Sequence, residues 1–414
     1  MKKRDLQTEI IHRKPTDVME GYPEYYPIYQ TATYYYQSAT EISEAFSGKK
    51  HGSVYSRISN PTVLEFEKII NNMDCGIGAI ATVSGMSAIS LTTLSLIEKR
   101  KKVLSQRGIF GGTYSLFVKT LSNLGIRTEF LETEKVEEVA DRIDEETAFV
   151  FLETIGNPML NVLEIDKISS ICSEKKVPLV LDNTMLPYLF SPREYNVSLS
   201  LYSTTKFISG MSTSTGGALI DLENFNWNND NYPEIKELFS RFKKFAFLAK
   251  ARKVLRDLGF IQTPFHAYLQ IIGFETLPLR MKRQCKNAYK LATFLSTHKK
   301  IVSVNYPGLS TSPYYNTAKR LFKTYFGSIL TFELRNKEEA FKFIDSLKWA
   351  KILANIGDIR TVVIHPASTI FYEFNNEERK NNGVNDGLIR VSVGIENISL
   401  IIKDFKEALD KLWN

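Results

Sequence analysis

Three short apolar runs in the first half of the chain each stop at side chains that could do chemistry. Leu152 gives way to Glu153, Leu181 to Asp182, and Tyr202 to Ser203-Thr204-Thr205-Lys206. An acid and a lysine at neighbouring strand ends suit a structural ion pair and a proton-transferring pair equally well. Phosphate-binding groups beside them favour the second. Ser84-Gly85-Met86 follows an apolar run and opens a helical one, so the free N–H groups and dipole of that helix start make an anion site that Gly85 leaves open to close approach. Ser203 and Thr205 add two hydroxyls just ahead of Lys206. A phosphate cradle, a lysine able to form a Schiff base and an acid able to keep a pyridine nitrogen protonated are the parts that hold pyridoxal phosphate and let its ring take up electrons.

These groups meet only if their strands run side by side in one direction. Strands are expected at 79–83, 102–105, 149–152, 178–181 and 198–202, alternating with helices at 86–98, 114–124 and 165–174. Such alternation, with mostly apolar strands, predicts an α/β fold whose mostly parallel sheet is covered on both faces. Ligands bind such sheets beyond the carboxyl ends of the strands, where these groups stand. Asn60 ahead of Pro61 predicts a capped start for the amphipathic helix that follows. The first sixty residues, rich in Tyr, Pro and Thr and without a helical period, read as an extended arm suited to packing on a neighbour. After an Asn- and Pro-rich loop at 226–233, helices are expected at 233–258, 264–273 and 279–298, then a smaller α/β unit closing with a helix at 400–413. The chain thus divides into an arm at 1–60, a cofactor-binding large domain at 61–258 and a C-terminal domain at 259–414.

Composition bounds the rest. The 414 residues are 43% hydrophobic and 24% charged, which excludes a disordered chain, a collagen-like repeat and a coiled coil. No apolar run approaches the roughly 18 residues that a membrane helix needs, and no apolar stretch follows the basic Met1-Lys2-Lys3-Arg4 start, so a cytoplasmic protein is expected. The net charge of +7 raises the question of nucleic acid, but the cations are scattered. The run Glu98–Lys102 falls at an expected helix end and, like Lys243-Lys244, reads as a solvated face. Cys75, Cys172 and Cys285 read as small buried or half-buried hydrophobes, and with five dispersed histidines and no CxxC they support neither a disulfide framework nor a metal site. Gly76-Ile77-Gly78-Ala79-Ile80-Ala81 fits a dinucleotide-binding pattern but follows a helix, and 210–216 lacks the lysine of a P-loop.

The segments Tyr55-Ser56-Arg57-Ile58-Ser59-Asn60-Pro61-Thr62, Ser84-Gly85-Met86-Ser87-Ala88, Asp182-Asn183-Thr184 and Ser203-Thr204-Thr205-Lys206 resemble, in order, the Cys/Met-metabolism family of pyridoxal-phosphate enzymes. The resemblance spans about 27–412. It implies the PLP-dependent transferase fold (fold type I). Glu153-Thr154-Ile155-Gly156-Asn157-Pro158, Thr213-Ser214-Thr215-Gly216-Gly217, Glu275-Thr276-Leu277-Pro278-Leu279-Arg280-Met281 and Arg390-Val391-Ser392-Val393-Gly394 are similar to the members of that family that act on O-acetylhomoserine.

The resemblance implies roles residue by residue. Lys206 carries the cofactor and shuttles protons, Asp182 pairs with the pyridine nitrogen, and Tyr114 stacks on the ring and assists proton transfer. Asn157 reaches the cofactor's phenolic oxygen. Ser84, Gly85, Met86, Ser203 and Thr205 hold the phosphate, with Thr184 of the Asp182-Asn183-Thr184 segment also at the cofactor. Tyr55 and Arg57 reach that phosphate from a neighbouring subunit, which implies a homo-oligomer, usually a dimer of dimers. Arg390 anchors the substrate α-carboxylate beside Asn355. The implied reaction replaces the acetyl group of O-acetylhomoserine with sulfide or a thiol, giving homocysteine or a thioether plus acetate. The alternatives are an eliminating lyase of the same family and a basic protein that uses the scaffold only for binding. Met211 and Phe371 stand where the family commonly has histidines, positions expected near the substrate entrance or a lid.

Overall fold

The computed structural model describes residues 6–11, 24–131 and 135–413. Its larger sheet contains β1 (Gly78–Thr82), β2 (Lys102–Ser105), β3 (Arg127–Phe130), β4 (Thr147–Glu153), β5 (Leu179–Asp182), β6 (Leu199–Tyr202) and β7 (Gly217–Asp221), in the spatial order β1-β7-β6-β5-β4-β2-β3. β2 to β6 are mutually parallel, and β7 opposes both β6 and β1. β1 therefore points the same way as β6, which brings Ser84 to the edge where β4, β5 and β6 end.

Both faces of this sheet are apolar, as a parallel sheet between two helical layers requires. Ile80, Phe149, Phe151, Val180, Leu199, Leu201 and Leu219 pack on one side with the helices Gly85–Leu96 and Ala246–Leu258. The alternate residues Ala79, Ala81, Val150, Leu152, Leu179, Leu181 and Ile220 pack on the other, with Pro61–Asp74, Ile165–Glu174 and Pro264–Glu275. Each large aliphatic side chain so buried contributes about 1.5–3 kcal/mol, so a one-residue slip of register would be costly. Asn60 caps Pro61–Asp74 as expected, its side-chain oxygen accepting from the amide of Thr62 at 3.0 Å.

The smaller sheet is β10-β11-β12-β9-β8, built from β8 (Ser303–Asn305), β9 (Ile329–Glu333), β10 (Lys351–Ile352), β11 (Val362–Ile364) and β12 (Leu388–Ser392). All its pairings are antiparallel except β10 with β11. The helix Leu277–Ser296 links the two cores: Leu277 and Met281 pack with the large sheet, and Ala288, Leu291 and Leu295 with the small one. Residue 258 thus precedes a helix, Pro264–Glu275, that belongs to the large-sheet core.

Local departures from the sequence reading have physical causes. The helix expected at 114–124 is a single turn, Gly111–Ser115, followed by a π-helical turn at Leu116–Thr120 and a 3-10 turn at Ser122–Leu124. The stretch 233–258 breaks at Lys243, whose φ of 51° ends one helix before Ala246–Leu258 begins. The arm is not wholly extended: Ala39–Ser47 is helical, capped by Ser38 and closed by Gly48 at φ 72°, although it buries none of its residues. Lys102 is no solvated cation but a buried one on β2, held by Asp144 at 2.6 Å. Cys75 is exposed, because it forms the left-handed cap of Pro61–Asp74. Among the described residues no helix is long and apolar enough to cross a membrane.

Candidate active site

The carboxyl ends of β1, β4, β5 and β6 open onto a cavity of about 280 Å³ that is also lined by Asn355, between β10 and β11, and by Arg390 on β12 of the small sheet. The strand register assembles the acids: Glu153 lies opposite Asp182, and Asp182 opposite Leu201. Lys206 follows β6 by one turn and points into the same space.

At one end, Ser84 caps the helix Gly85–Leu96, its hydroxyl accepting from the Ser87 amide at 3.1 Å. A Cβ on Gly85 would stand 2.6 Å from the Cβ of Ser203, so the cradle has no room for a side chain there. Thr184 ties this end to the acid. Its hydroxyl accepts from the Ser203 amide at 2.8 Å, while its own amide donates to Asp182 at 2.9 Å. The Thr205 hydroxyl is engaged with Gly216, accepting from its N–H at 2.9 Å and donating to its carbonyl at 3.2 Å. Thr113 brings to the cavity wall a buried hydroxyl with no hydrogen-bond partner.

The ionisable groups here lack the ion pairs that buried charges normally have. Burial raises the acid of Asp182, against opposing hydrogen bonds from Thr184. Burial, with Asp182 adding repulsion, raises that of Glu153 well above its usual range, although Glu153 accepts from the Phe110 amide at 2.8 Å. Burial, with the Arg390 charge second, lowers Lys206 to about 8, and its amine donates to Asn355 Oδ1 at 2.7 Å. Arg390 is itself pushed down to about 10 by burial; it donates to Asn157 Oδ1 at 3.1 Å and to the Asn355 carbonyl at 3.4 Å. Among the described residues no carboxylate pairs with Arg390 and no cation pairs with Asp182. A planar ligand with a phosphate, a basic ring nitrogen and an attached carboxylate would satisfy all of them, so the residues present fit pyridoxal phosphate bearing an amino acid.

Ser84, Gly85, Met86, Asn157, Asp182, Thr184, Ser203, Thr205, Lys206, Asn355 and Arg390 all line this cavity. Tyr114 does not. Its ring stacks on Phe130 at 5.2 Å and 27° and lies 5.2 Å from Phe374, facing a small neighbouring pocket with Arg107. Tyr55 and Arg57 also lie outside their own chain's cavity. Arg57 sits 5.4 Å from the Tyr55 ring and donates to the carbonyl of Arg256 at 2.8 Å. Met211 is exposed, whereas Phe371 is fully buried with Ala367, Phe374 and Leu388, and its neighbour Ile370 lines the cavity in its place.

Glu153, a strand end to which the resemblance assigns no role, belongs to the cavity, as do Phe110 and Thr113 just ahead of Tyr114. Arg280, within the segment 275–281, is buried and donates to the carbonyls of Phe207 at 2.6 Å and Ile208 at 3.1 Å, so it braces the turn that carries Lys206.

This fold and this set of groups define a pyridoxal-phosphate enzyme of fold type I. The chain belongs to the Cys/Met metabolism family of PLP-dependent enzymes, whose model matches residues 7–410. It is 40% identical over 407 residues to an O-acetyl-L-homoserine sulfhydrylase of Leptospira meyeri, covering 93% of this chain and 92% of that one. It is 38% identical over 399 residues to a homocysteine synthase of Schizosaccharomyces pombe, covering 93% of each. Among solved structures it resembles an O-acetylhomoserine (thiol)-lyase of Campylobacter jejuni carrying a pyridoxyl-lysine phosphate, with a TM-score of 0.93 at 31% identity over 98% of this chain and 100% of that one.

Proposed function

We propose that this chain catalyses γ-replacement on O-acetylhomoserine, exchanging acetate for sulfide or a thiol to give homocysteine or a related thioether. The observation that carries the reading is Arg390, a buried guanidinium with no carboxylate partner among the described residues, set in one cavity with Lys206 and Asp182. The relatives named for this reaction support it across nearly the whole chain.

Pyridoxal phosphate, when bound, supplies the electron sink that acidifies the hydrogens next to the substrate's amino carbon. The protein's residues do the rest. Arg390 takes the α-carboxylate and so fixes which bond at the α-carbon stands ready to break, a positioning effect. Lys206, its basicity lowered toward neutrality, accepts the α-proton at Nζ and returns protons along the side chain as acetate leaves and sulfur adds. Asp182, tied to Ser203 through Thr184, would hold positive charge on the ring nitrogen. The Gly85–Leu96 helix start and the Ser203 hydroxyl take the phosphate, while Met86, Ile89 and Ile370 keep the wall apolar and limit water.

We place Tyr55 and Arg57 in the site of a neighbouring subunit, which makes a dimer the minimal active unit and a dimer of dimers the expected assembly, and we place the enzyme in the cytoplasm. Tyr114 takes its role at the cofactor ring by turning from Phe130. The test is a product assay on O-acetylhomoserine with and without sulfide. Homocysteine and acetate formed only with sulfide are expected; 2-oxobutyrate formed at a rate indifferent to sulfide would overturn the reading in favour of an eliminating lyase.

A further inference from the structure

A continuous run of hydrogen bonds joins Lys206 to a carboxylate on the far side of Asn355. Lys206 Nζ donates to Asn355 Oδ1 at 2.7 Å, Asn355 Nδ2 donates to Ser212 Oγ at 2.8 Å, and Ser212 Oγ donates to Asp358 Oδ2 at 2.6 Å. Arg360 clamps that carboxylate from the other side, Nε to Oδ1 at 2.7 Å and Nη2 to Oδ2 at 2.9 Å.

The direction of each bond follows from the charge at the end of the run. Partial burial works to raise the Asp358 acid, but the bonds from Arg360 and Ser212 outweigh it and hold the group below the usual carboxylate range. An ionised carboxylate only accepts. The Ser212 hydrogen is therefore committed to Asp358, and Oγ can only accept from Asn355. The amide must then turn its NH₂ toward Ser212 and its oxygen toward Lys206. The two ends of an amide have the same shape, so packing alone would not choose between them.

Ser212 also sits at a φ of 57°, the left-handed region where glycine is unstrained and other residues pay roughly 1 kcal/mol. Its hydroxyl is kept at a position where the backbone would favour having no side chain.

We propose that Ser212 is a positioning residue of the active site, fixing the Asn355 amide through Asp358 so that an acceptor, and not a donor, meets the Lys206 amine. The proposal rests on Lys206 being the proton-carrying amine, and it adds a residue that touches neither substrate nor cofactor. An acceptor at 2.7 Å favours the ammonium form. It works against burial and Arg390 on β12, while the acids of Asp182 on β5 and Glu153 on β4 are themselves raised by burial. Without Ser212 the amide NH₂ loses its acceptor, the amide is held less firmly, and when the amine is neutral nothing keeps the oxygen turned toward it, so the ammonium is favoured less and the amine becomes neutral at lower pH.

The test uses the apoprotein, without substrate. Capture of pyridoxal phosphate requires the neutral amine, so its rate against pH reports the titration of Lys206, with a wild-type midpoint near 8. Ser212→Gly suits the left-handed backbone and Ser212→Ala keeps the strain; both delete the hydroxyl. Both are expected to move the midpoint down by about half a unit or more. Asn355→Ala should move it the same way, and adding Ser212→Gly to Asn355→Ala should move it no further. A midpoint unchanged in Ser212→Gly, a shift in only one of the two Ser212 variants, or additive shifts in the double variant would each overturn the proposal. Capture that persists unchanged in Lys206→Ala would instead sink the reading of Lys206 itself.

Discussion

Glu153 and Asp182 stand directly opposite one another in the parallel register of β4 and β5, a buried and a half-buried carboxyl group at adjacent strand ends, and among the described residues no cation pairs with either. Their surroundings separate their tasks. Glu153 is turned to the Phe110 amide, whereas Asp182 is bound by the Thr184 amide on one oxygen and faces the cavity.

Asp182→Asn should therefore lower kcat by roughly 10²–10³-fold, since it removes the charge proposed to act on the cofactor ring. Glu153→Gln keeps an oxygen for the Phe110 amide and should cost no more than about tenfold. Steady-state rates, with cofactor affinity measured by absorbance titration, compare the two.

Arg390→Leu removes the proposed carboxylate anchor and should lower kcat/KM by roughly 10²–10³-fold, with Lys a poor substitute because it lacks the two-pronged geometry. The same change removes a positive charge acting on Lys206. The amine should then become neutral at higher pH, opposite to the shift expected for Ser212→Gly. The pH dependence of cofactor capture by the apoprotein reads both signs in one assay.

Asp74 is buried and accepts from Ser200 at 2.5 Å and from Tyr202 at 2.7 Å; burial, against those bonds, raises its acid to about 7. The folded state holds this proton more tightly than the unfolded one, so between about pH 4 and pH 7 the unfolded chain binds fewer protons and stability falls as pH rises. Asp74→Asn can keep both acceptor contacts without the charge. Its urea midpoint should change less over that window than the wild type's, and it should exceed the wild type at pH 8.

Arg57→Ala and Lys206→Ala proteins should each be inactive alone. Mixed after gentle dissociation, they should recover roughly a quarter of wild-type activity, because half the dimers are hybrids and each hybrid holds one intact site. No recovery would remove the shared site.

Much of this site was legible because strands announce themselves. The apolar runs before Glu153, Asp182 and Ser203 have strand length and end abruptly, so their polar termini had to meet at one edge of a parallel sheet. The Gly85 helix start was readable for the same reason. Asn355 and Lys206 are 149 residues apart, and no local pattern tells that their side chains touch. The direction of Tyr114 was hidden because its ring stacks on Phe130 and lies beside Phe374, partners far from it in sequence that no local pattern announces. Phe371 read as a rim residue, but Phe374, Ala367 and Leu388 give it an apolar nest, and burial won.

Lys206 follows a strand of the large sheet and Arg390 lies on a strand of the small one, so the two ends of the cavity belong to separate cores. An amino acid held by both becomes a brace between them, and its binding must stiffen the whole molecule as well as fill a pocket. A plain amine of the same size would grip only one wall. A ligand that reaches both walls would then join the same two cores that the Leu277–Ser296 helix already links.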